Sequence, residues 1–173
     1  MRDKVLSSET IFEGKILTLR VDEVEAADGH RSSREVVVHR GAVGIVCIDN
    51  GEIVLVRQYR HATGEELLEI PAGKLDPGEE PAATAARELA EEVGLKPRSL
   101  EHLATYYTTP GFTNEKFYLY LCTESDVATA QLDEGEVLEI ERRPLASVRE
   151  LLASGEVRDA KTLLGLSFLA LRT

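Results

Sequence analysis

The sequence predicts an α/β fold in which a mixed β-sheet is packed between helices, with a small antiparallel β segment ahead of it. Three observations carry that prediction. Two adjacent runs, "AVGIVCI" (residues 42–48) and "EIVLVRQYR" (52–60), are apolar almost without interruption, as strands covered on both faces are. One helical pattern stands among hairpins and two more finish the chain, whereas a regular doubly wound sheet would place a helix after each strand. At the start, "KILTLRVDEVEA" (15–26) and "REVVVHR" (34–40) alternate around the turn "ADGHR", a β-hairpin that cannot bury enough surface to stand alone.

The elements follow in order, with residues 1–40 as the hairpin segment and 41–173 as the main domain. "DNG" turns between the two apolar runs, and "HATGEE" leads to a short strand "LLEI". "PAGKLDPGEE" then has the Gly and Pro punctuation of an irregular loop. A helix opens near Pro81, which suits a first turn, with Glu79 and Glu80 at its positive end. Ala82, Ala85 or Ala86, Leu89 and Val93 recur at helical spacing as a narrow stripe of small residues, and Gly94 and Pro97 close the helix. "LEHLATYYTT", "KFYLYLCTE" and "GEVLEIERR" read as strands. "LASVRELLA" is a short helix closed by Gly155, and "AKTLLGLSFLALR" a terminal helix.

At 173 residues the chain can bury one core and is short for two ordinary domains. Its 31 acidic against 20 basic residues leave a net charge of −11, which argues against a nucleic-acid backbone or an anionic membrane as a partner held by charge. An anionic ligand would need a cation between it and the protein. Cys47 and Cys122 lie in apolar runs without C-x-x-C spacing and are expected to be buried thiols, neither a disulfide nor a zinc site. No apolar stretch approaches the roughly 18 residues of a membrane span, and "MRDKVLSSETIFEGK" lacks the apolar core of a signal peptide, so a cytoplasmic location is expected. The sequence has no G-x-x-x-x-G-K-[ST] loop, G-x-S-x-G elbow or H-E-x-x-H pair, which leaves P-loop, serine-hydrolase and zincin chemistry without support.

The informative stretch is "RELAEEVGL", residues 87–95. Glu88, Glu91 and Glu92 crowd the last turns of the helix, where the macrodipole disfavours an exposed negative charge by roughly 0.3 to 1 kcal/mol. Glu88 and Glu92 also repel each other, as like charges four apart do, by roughly 0.2 to 0.5 kcal/mol. Between Leu75 and Leu95 six carboxylates (Asp76, Glu79, Glu80, Glu88, Glu91, Glu92) face a single cation, Arg87. A solvated acidic face is the ordinary explanation of an isolated E-x-x-E-E. A divalent cation reverses the balance, because hard ions such as Mg²⁺ and Mn²⁺ prefer clustered carboxylates, and Mg²⁺ completes its shell with water and substrate phosphate oxygens. Glu88 and Glu92 share one face and suit one metal or an adjacent pair. Glu91 either joins them or pairs with Arg87.

The longer stretch "GKLDPGEEPAATAARELAEEVGL" (73–95) resembles the Nudix box throughout: Gly, five residues, Glu, seven residues, then Arg-Glu-aliphatic-x-Glu-Glu-x-Gly-aliphatic. A chance match in this length is on the order of 10⁻⁷ at average residue frequencies. The resemblance implies the Nudix fold and a hydrolase of a nucleoside diphosphate linked to another moiety. It implies Mg²⁺ or Mn²⁺ as cofactor, with Glu88 and Glu92 as ligands, Glu91 as a further or water-mediated ligand, and the backbone carbonyl of Ala72 as another. Arg87 would orient the glutamates by salt bridges, Glu79 among them, and Gly73 and Gly94 would answer backbone needs.

"VRQYR", "LLEIPAG", "PGFTNEKFYLYL", "DEGEVLEIE" and "GEVRDAKTLLGL" together resemble the ADP-ribose diphosphatase branch over most of the chain. This implies a nucleoside diphosphate sugar as substrate, cleavage of ADP-ribose to AMP and ribose 5-phosphate, and a homodimer in which the N-terminal segment reaches the partner subunit. It also implies Arg60 as a phosphate-binding residue and Glu69 as a substrate hydrogen-bonding acid, with Arg57 a weaker candidate on the same strand. For the general base the family pattern points to the loop "LDEGEVLEI", with Glu134 first and Glu136 second or a metal ligand. Glu91 stays an alternative, since some Nudix enzymes carry the base in the box helix. The chain departs from the family's habit of stacking adenine on an aromatic ring in having no Trp, which leaves Phe112 and Phe12 as substitutes. Two other readings compete: a diphosphatase for another nucleotide sugar such as GDP-mannose, and a non-catalytic nucleotide-sensing module. The full set of Glu88, Glu91, Glu92 and Arg87 speaks against the sensor.

Overall fold

The computed structural model describes residues 2–132, 135 and 137–172. The chain forms two compact units, Met1–Gly41 with Tyr106–Phe117, and Ala42–Thr105 with Tyr118–Thr173. In the first, β1 (Lys4–Glu13), β2 (Thr18–Glu25) and β3 (Arg31–Val38) form an antiparallel sheet in that order. The expected hairpin is β2 and β3, registered from Thr18 opposite Val38 to Glu25 opposite Arg31. β1 is an addition. All ten of its residues are exposed, so "KVLSSETIFE" has no buried stripe for a sequence pattern to reveal, and backbone pairing with β2 holds it. Residues 106–117 join this unit through β3: the Val37 N–H donates to the Phe112 carbonyl at 2.7 Å, and the His39 N–H to Asn114 Oδ1 at 2.7 Å.

The second unit is built on β4 (Ala42–Asp49) and β5 (Glu52–Arg60), followed by β6 (Glu65–Glu69), β7 (Ala72–Lys74) and α1 (Pro81–Val93). Then come β8 (Leu95–Pro97), β9 (Glu101–Tyr107), β10 (Lys116–Cys122), β11 (Ser125–Val127), β12 (Leu138–Pro144), α2 (Val148–Ser154) and α3 (Ala160–Ala170). The mixed sheet runs β12-β5-β4-β10-β9, with β6 added to β5 and β7 to β4. β8 and β11, three residues each, pair antiparallel beside it. They are too short to leave a period in the sequence.

β4 and β5 pair only from Cys47–Val54 to Asp49–Glu52 and then part. β6 takes the place opposite Val56–Arg60, and β7 the place opposite Ala42–Gly44. Pro71 stands in the fork, its carbonyl accepting the Ile45 N–H at 2.9 Å. Proline has no N–H to give a ladder, so the chain turns there instead of running on as one strand. The stretch expected to be an irregular loop therefore begins as β7, a strand fixed by β4 and not by its own composition.

Helices cover both faces. Val43, Ile45 and Cys47 of β4 with Val54 and Val56 of β5 pack with Ala85, Leu89 and Val93, a stripe with a spacing of four along α1. Ala82, expected in that stripe, is exposed, and Thr84 is buried in the first turn in its place. Val46 points the other way, toward α3, where a Cβ added at Gly165 would come within 2.8 Å of Val46 Cγ2 and 3.4 Å of Ile70 Cδ1. Only a glycine lets that helix lie so close. Cys47 and Cys122 are buried free thiols. No helix among the described residues is long and apolar enough to cross a membrane.

Candidate active site

α1 ends where its sequence directs. Gly94 takes the left-handed conformation at φ 67°, with its N–H directed at the Ala90 and Leu89 carbonyls. Two further orphan carbonyls are met from outside, Glu91 O by the Gln131 N–H at 2.9 Å and Gly94 O by the Ala128 N–H at 2.8 Å. On the side-chain level, Glu92 is 3% exposed and its Oε2 accepts the Ala72 N–H at 3.1 Å. Glu88, one turn earlier, lies against the next residue: a Cβ at Gly73 would stand 1.9 Å from its carboxylate. Both carboxylates thus converge on one dipeptide, Ala72–Gly73. Glycine is needed at 73 because a carboxylate occupies the space of a side chain.

Arg87 offsets the charge at this helix end. Its Nε and Nη2 hold Glu79 Oε1 and Oε2 at 3.1 and 3.0 Å. Its Nη1 reaches Glu88 Oε1 at 2.9 Å and Glu91 Oε2 at 2.8 Å. These bonds push the Glu79 carboxyl down to about 2, the hydrogen bonds from Arg87 leading, and hold the guanidinium above its ordinary value. Glu79 also accepts the Asp76 N–H at 3.3 Å, so it ties the loop to the helix. Of the two options for Glu91, pairing with Arg87 is the one present.

Among the described residues no three His, Cys, Asp or Glu side chains are arranged around a metal position. The donors that converge are two carboxylates and the peptide backbone between β6 and α1. That oxygen-only set fits a hard divalent ion of the Mg²⁺ or Mn²⁺ kind, which retains water and takes other oxygens from a substrate. A soft thiolate-seeking metal would find nothing here.

Arg60, at the end of β5, grips Glu69 with Nε at 2.8 Å and Nη2 at 2.6 Å. Glu69 is 1% exposed and also receives Lys161 Nζ at 2.5 Å. Burial alone would push the Glu69 carboxyl up, but the two cations outweigh it and the net shift is downward. Arg60 is held above its ordinary value chiefly by its hydrogen bonds to Glu69, against the effect of burial, with Glu92 and Asp159 adding to it. The guanidinium is therefore an electrostatic neighbour of Glu92. Arg57 is occupied elsewhere, paired with Glu141 of β12 and, at 2.9 Å, with Glu156.

This geometry joins the box helix, the Ala72–Gly73 stretch of β7 and the pair of half-exposed Arg60 with buried Glu69 in one unit, and residues 38–165 match the NUDIX domain family. The chain belongs to the Nudix family. It is a Nudix hydrolase, and its residues 4–37 match the nucleoside diphosphate sugar hydrolase N-terminal domain. An ADP-ribose pyrophosphatase of Bacillus subtilis (strain 168) is 40% identical over 175 residues, spanning 99% of this chain and 95% of that protein. A GDP-mannose pyrophosphatase of Cronobacter sakazakii (strain ATCC BAA-894) is 33% identical over 186 residues, spanning 99% and 94%. A crystal structure of an ADP compounds hydrolase superposes with a TM-score of 0.89 at 27% identity, covering 99% of this chain and 94% of that one.

In this Nudix hydrolase, Arg87, Glu88, Glu91, Glu92, Ala72, Arg60 and Glu69 all lie in the second unit. Phe112 and Phe12 belong to the first, both more than half exposed. Glu134 and Glu136 lie outside the described residues. Lys161 and Thr162 of α3, which meet Glu69 and Ile70, and the N-cap Asp159 that holds both of them, are not among the residues the sequence singled out. Their signal is the "DAKT" at the start of that helix, an N-cap pattern with a lysine inside it.

Proposed function

We propose that the protein hydrolyses the diphosphate bond of ADP-ribose, giving AMP and ribose 5-phosphate, with Mg²⁺ or Mn²⁺ as cofactor. The observation that carries this reading is the convergence of Glu88 and Glu92 on Ala72–Gly73, with Arg60 held by buried Glu69 in the same unit. The similarity to the Bacillus subtilis ADP-ribose pyrophosphatase supports the choice of substrate.

Glu88, Glu92 and the Ala72 carbonyl would hold the divalent ion, and Glu91 would join them when released from Arg87. Bound there, the ion supplies positive charge to the diphosphate oxygens and makes the phosphorus a better electrophile. Arg87 keeps Glu88 and Glu91 extended toward one side, so the ligands are aimed before the substrate arrives. Arg60 binds a phosphate oxygen. Its side chain keeps 38% exposure while that of Glu69 keeps 1%, so Arg60 is the member of the pair able to reach a ligand and Glu69 acts by orienting it. Arg57, held by Glu141 and Glu156, is the weaker candidate for a second phosphate contact.

Glu134 takes the proton from the attacking water, with Glu136 and Glu91 as the alternatives. Gln131, which precedes that loop, donates its N–H to the Glu91 carbonyl at the end of the box helix. Phe112 is the candidate for stacking on the base.

The enzyme is further proposed to work as a cytoplasmic homodimer through its N-terminal segment. β1 is exposed along its length, and Val5, Ile11 and Phe12 each leave more than half their surface uncovered, apolar area of the kind a partner buries. The Cronobacter sakazakii relative favours one second reading, GDP-mannose as substrate. A panel of ADP-ribose, GDP-mannose, NADH and diadenosine polyphosphates, assayed with and without Mg²⁺, tests the proposal. ADP-ribose is expected to turn over fastest; preference for GDP-mannose would replace the substrate, and no turnover of any would return the protein to a nucleotide sensor.

A further inference from the structure

The start of α3 is tied to two consecutive residues just ahead of Ala72. Thr162 is fully buried, and its hydroxyl accepts the Ile70 N–H at 2.9 Å while donating to Asp159 Oδ2 at 2.6 Å. The same Asp159 oxygen caps the helix by accepting the Thr162 N–H at 2.9 Å. Lys161 Nζ lies 2.5 Å from Glu69 Oε2 and 2.9 Å from Asp159 Oδ1. Capping needs only the backbone N–H of residue 162, whatever its side chain. The hydroxyl is therefore surplus to the cap. With its one proton committed to Asp159, its lone pairs are left to accept from Ile70.

From Ile70 the consequences run along the backbone. Pro71 fixes φ, and its carbonyl is held by the Ile45 N–H. Ala72 follows, with its N–H on Glu92. Gly165, one turn beyond Thr162, lets α3 press on the Ile70 side chain and hold the same residue sterically.

We infer that Thr162 is a positioning residue for the cation site: aimed by Asp159, its hydroxyl fixes the Ile70–Ala72 backbone so that Ala72 stands where Glu92 and Glu88 converge. The inference rests on the reading of Glu88, Glu92 and Ala72 as that site. Partners one layer outside a metal's ligands change its affinity by about 10- to 100-fold when removed.

The test measures Mn²⁺ binding to the full chain, by loss of the free-ion paramagnetic resonance signal, alongside thermal melts. Thr162→Val keeps the shape without the hydroxyl and is expected to bind Mn²⁺ about tenfold or more weakly while staying folded. Thr162→Ser keeps the hydroxyl and is expected to bind as the wild type does. Undiminished binding by Thr162→Val overturns the inference, and so does a Thr162→Ser protein as weak as Thr162→Val, which would assign the effect to the methyl group. If the wild type itself bound no Mn²⁺, the cation-site reading would fail instead. Should Thr162→Val not fold, amide exchange in the wild type decides. Linkage is reciprocal, so Mg²⁺ must slow exchange at Ile70 more than at Val54 in the core; equal slowing overturns the inference.

Discussion

Glu92 combines two properties that rarely meet in a glutamate, near-complete burial and a place in the last turn of a helix. Its Oε2 accepts the Ala72 N–H. Glu92→Gln keeps the shape and an acceptor for Ala72 but removes the charge. Turnover is expected to fall by at least the roughly 10- to 100-fold that losing an outer metal partner costs, with the melting temperature little changed; full activity would remove Glu92 from the metal site. Gly73→Ala makes a complementary case. The atom in the way of the new Cβ is the tip of a flexible side chain, so Glu88 is expected to swing aside at small cost in stability while the Mg²⁺ concentration for half-maximal turnover rises. Glu79 reports through pH. Its carboxyl is pushed from the ordinary 4.5 to about 2 on folding, so its contribution is complete above pH 4.5 and is lost as pH falls through about 2. Melting curves of wild type and Glu79→Gln should differ by a constant gap above pH 4.5 that closes below it; a gap that widens in acid would contradict the pairing with Arg87.

At the scale of elements, α1 carries its charges at the unfavourable end and is stabilised there by contacts, not by propensity. Arg87 gathers three carboxylates, and residues 128–131 donate to the carbonyls of Glu91 and Gly94. Gly94→Ala would force a side chain into the left-handed region and set its Cβ 3.0 Å from the Ala128 carbonyl oxygen. Destabilisation of about 1 to 2 kcal/mol is expected from the backbone alone, measured by denaturant titration; no change would mean that the helix end relaxes freely. The sequence reveals this helix well, because Ala85, Leu89 and Val93 repeat at the period of the structure they form. It hides β1 and β7, whose pairing depends on partners elsewhere in the chain and leaves no period of its own.

At the scale of the whole molecule, the excess of acid over base is compatible with a phosphate ligand only through a cation. Chelation with EDTA is therefore expected to abolish hydrolysis, and added Mg²⁺ to restore it; turnover that survives chelation would exclude a metal-dependent diphosphatase. The proposed dimer predicts a light-scattering mass of twice the 19.1 kDa chain, reduced to the monomer by paired Ile11→Glu and Phe12→Glu changes on β1. A wild-type monomer would leave those exposed apolar residues without the proposed role.

By itself the sequence determined the order of the central strands and helices, the burial of the apolar runs, and the box in which Glu88, Glu91, Glu92 and Arg87 keep fixed distances. These are consequences of local chemistry, since a helix brings residues three and four apart together wherever it sits. What only the tertiary structure decided is how those groups are held. Glu69 and Ile70 are secured by Lys161 and Thr162, each 92 positions along the chain from its partner. The Pro71 corner sits where β4 and β5 part, and Ala72 is brought under Glu92. Such contacts arise when distant segments close on one another around a shared core, and no spacing within either segment encodes them.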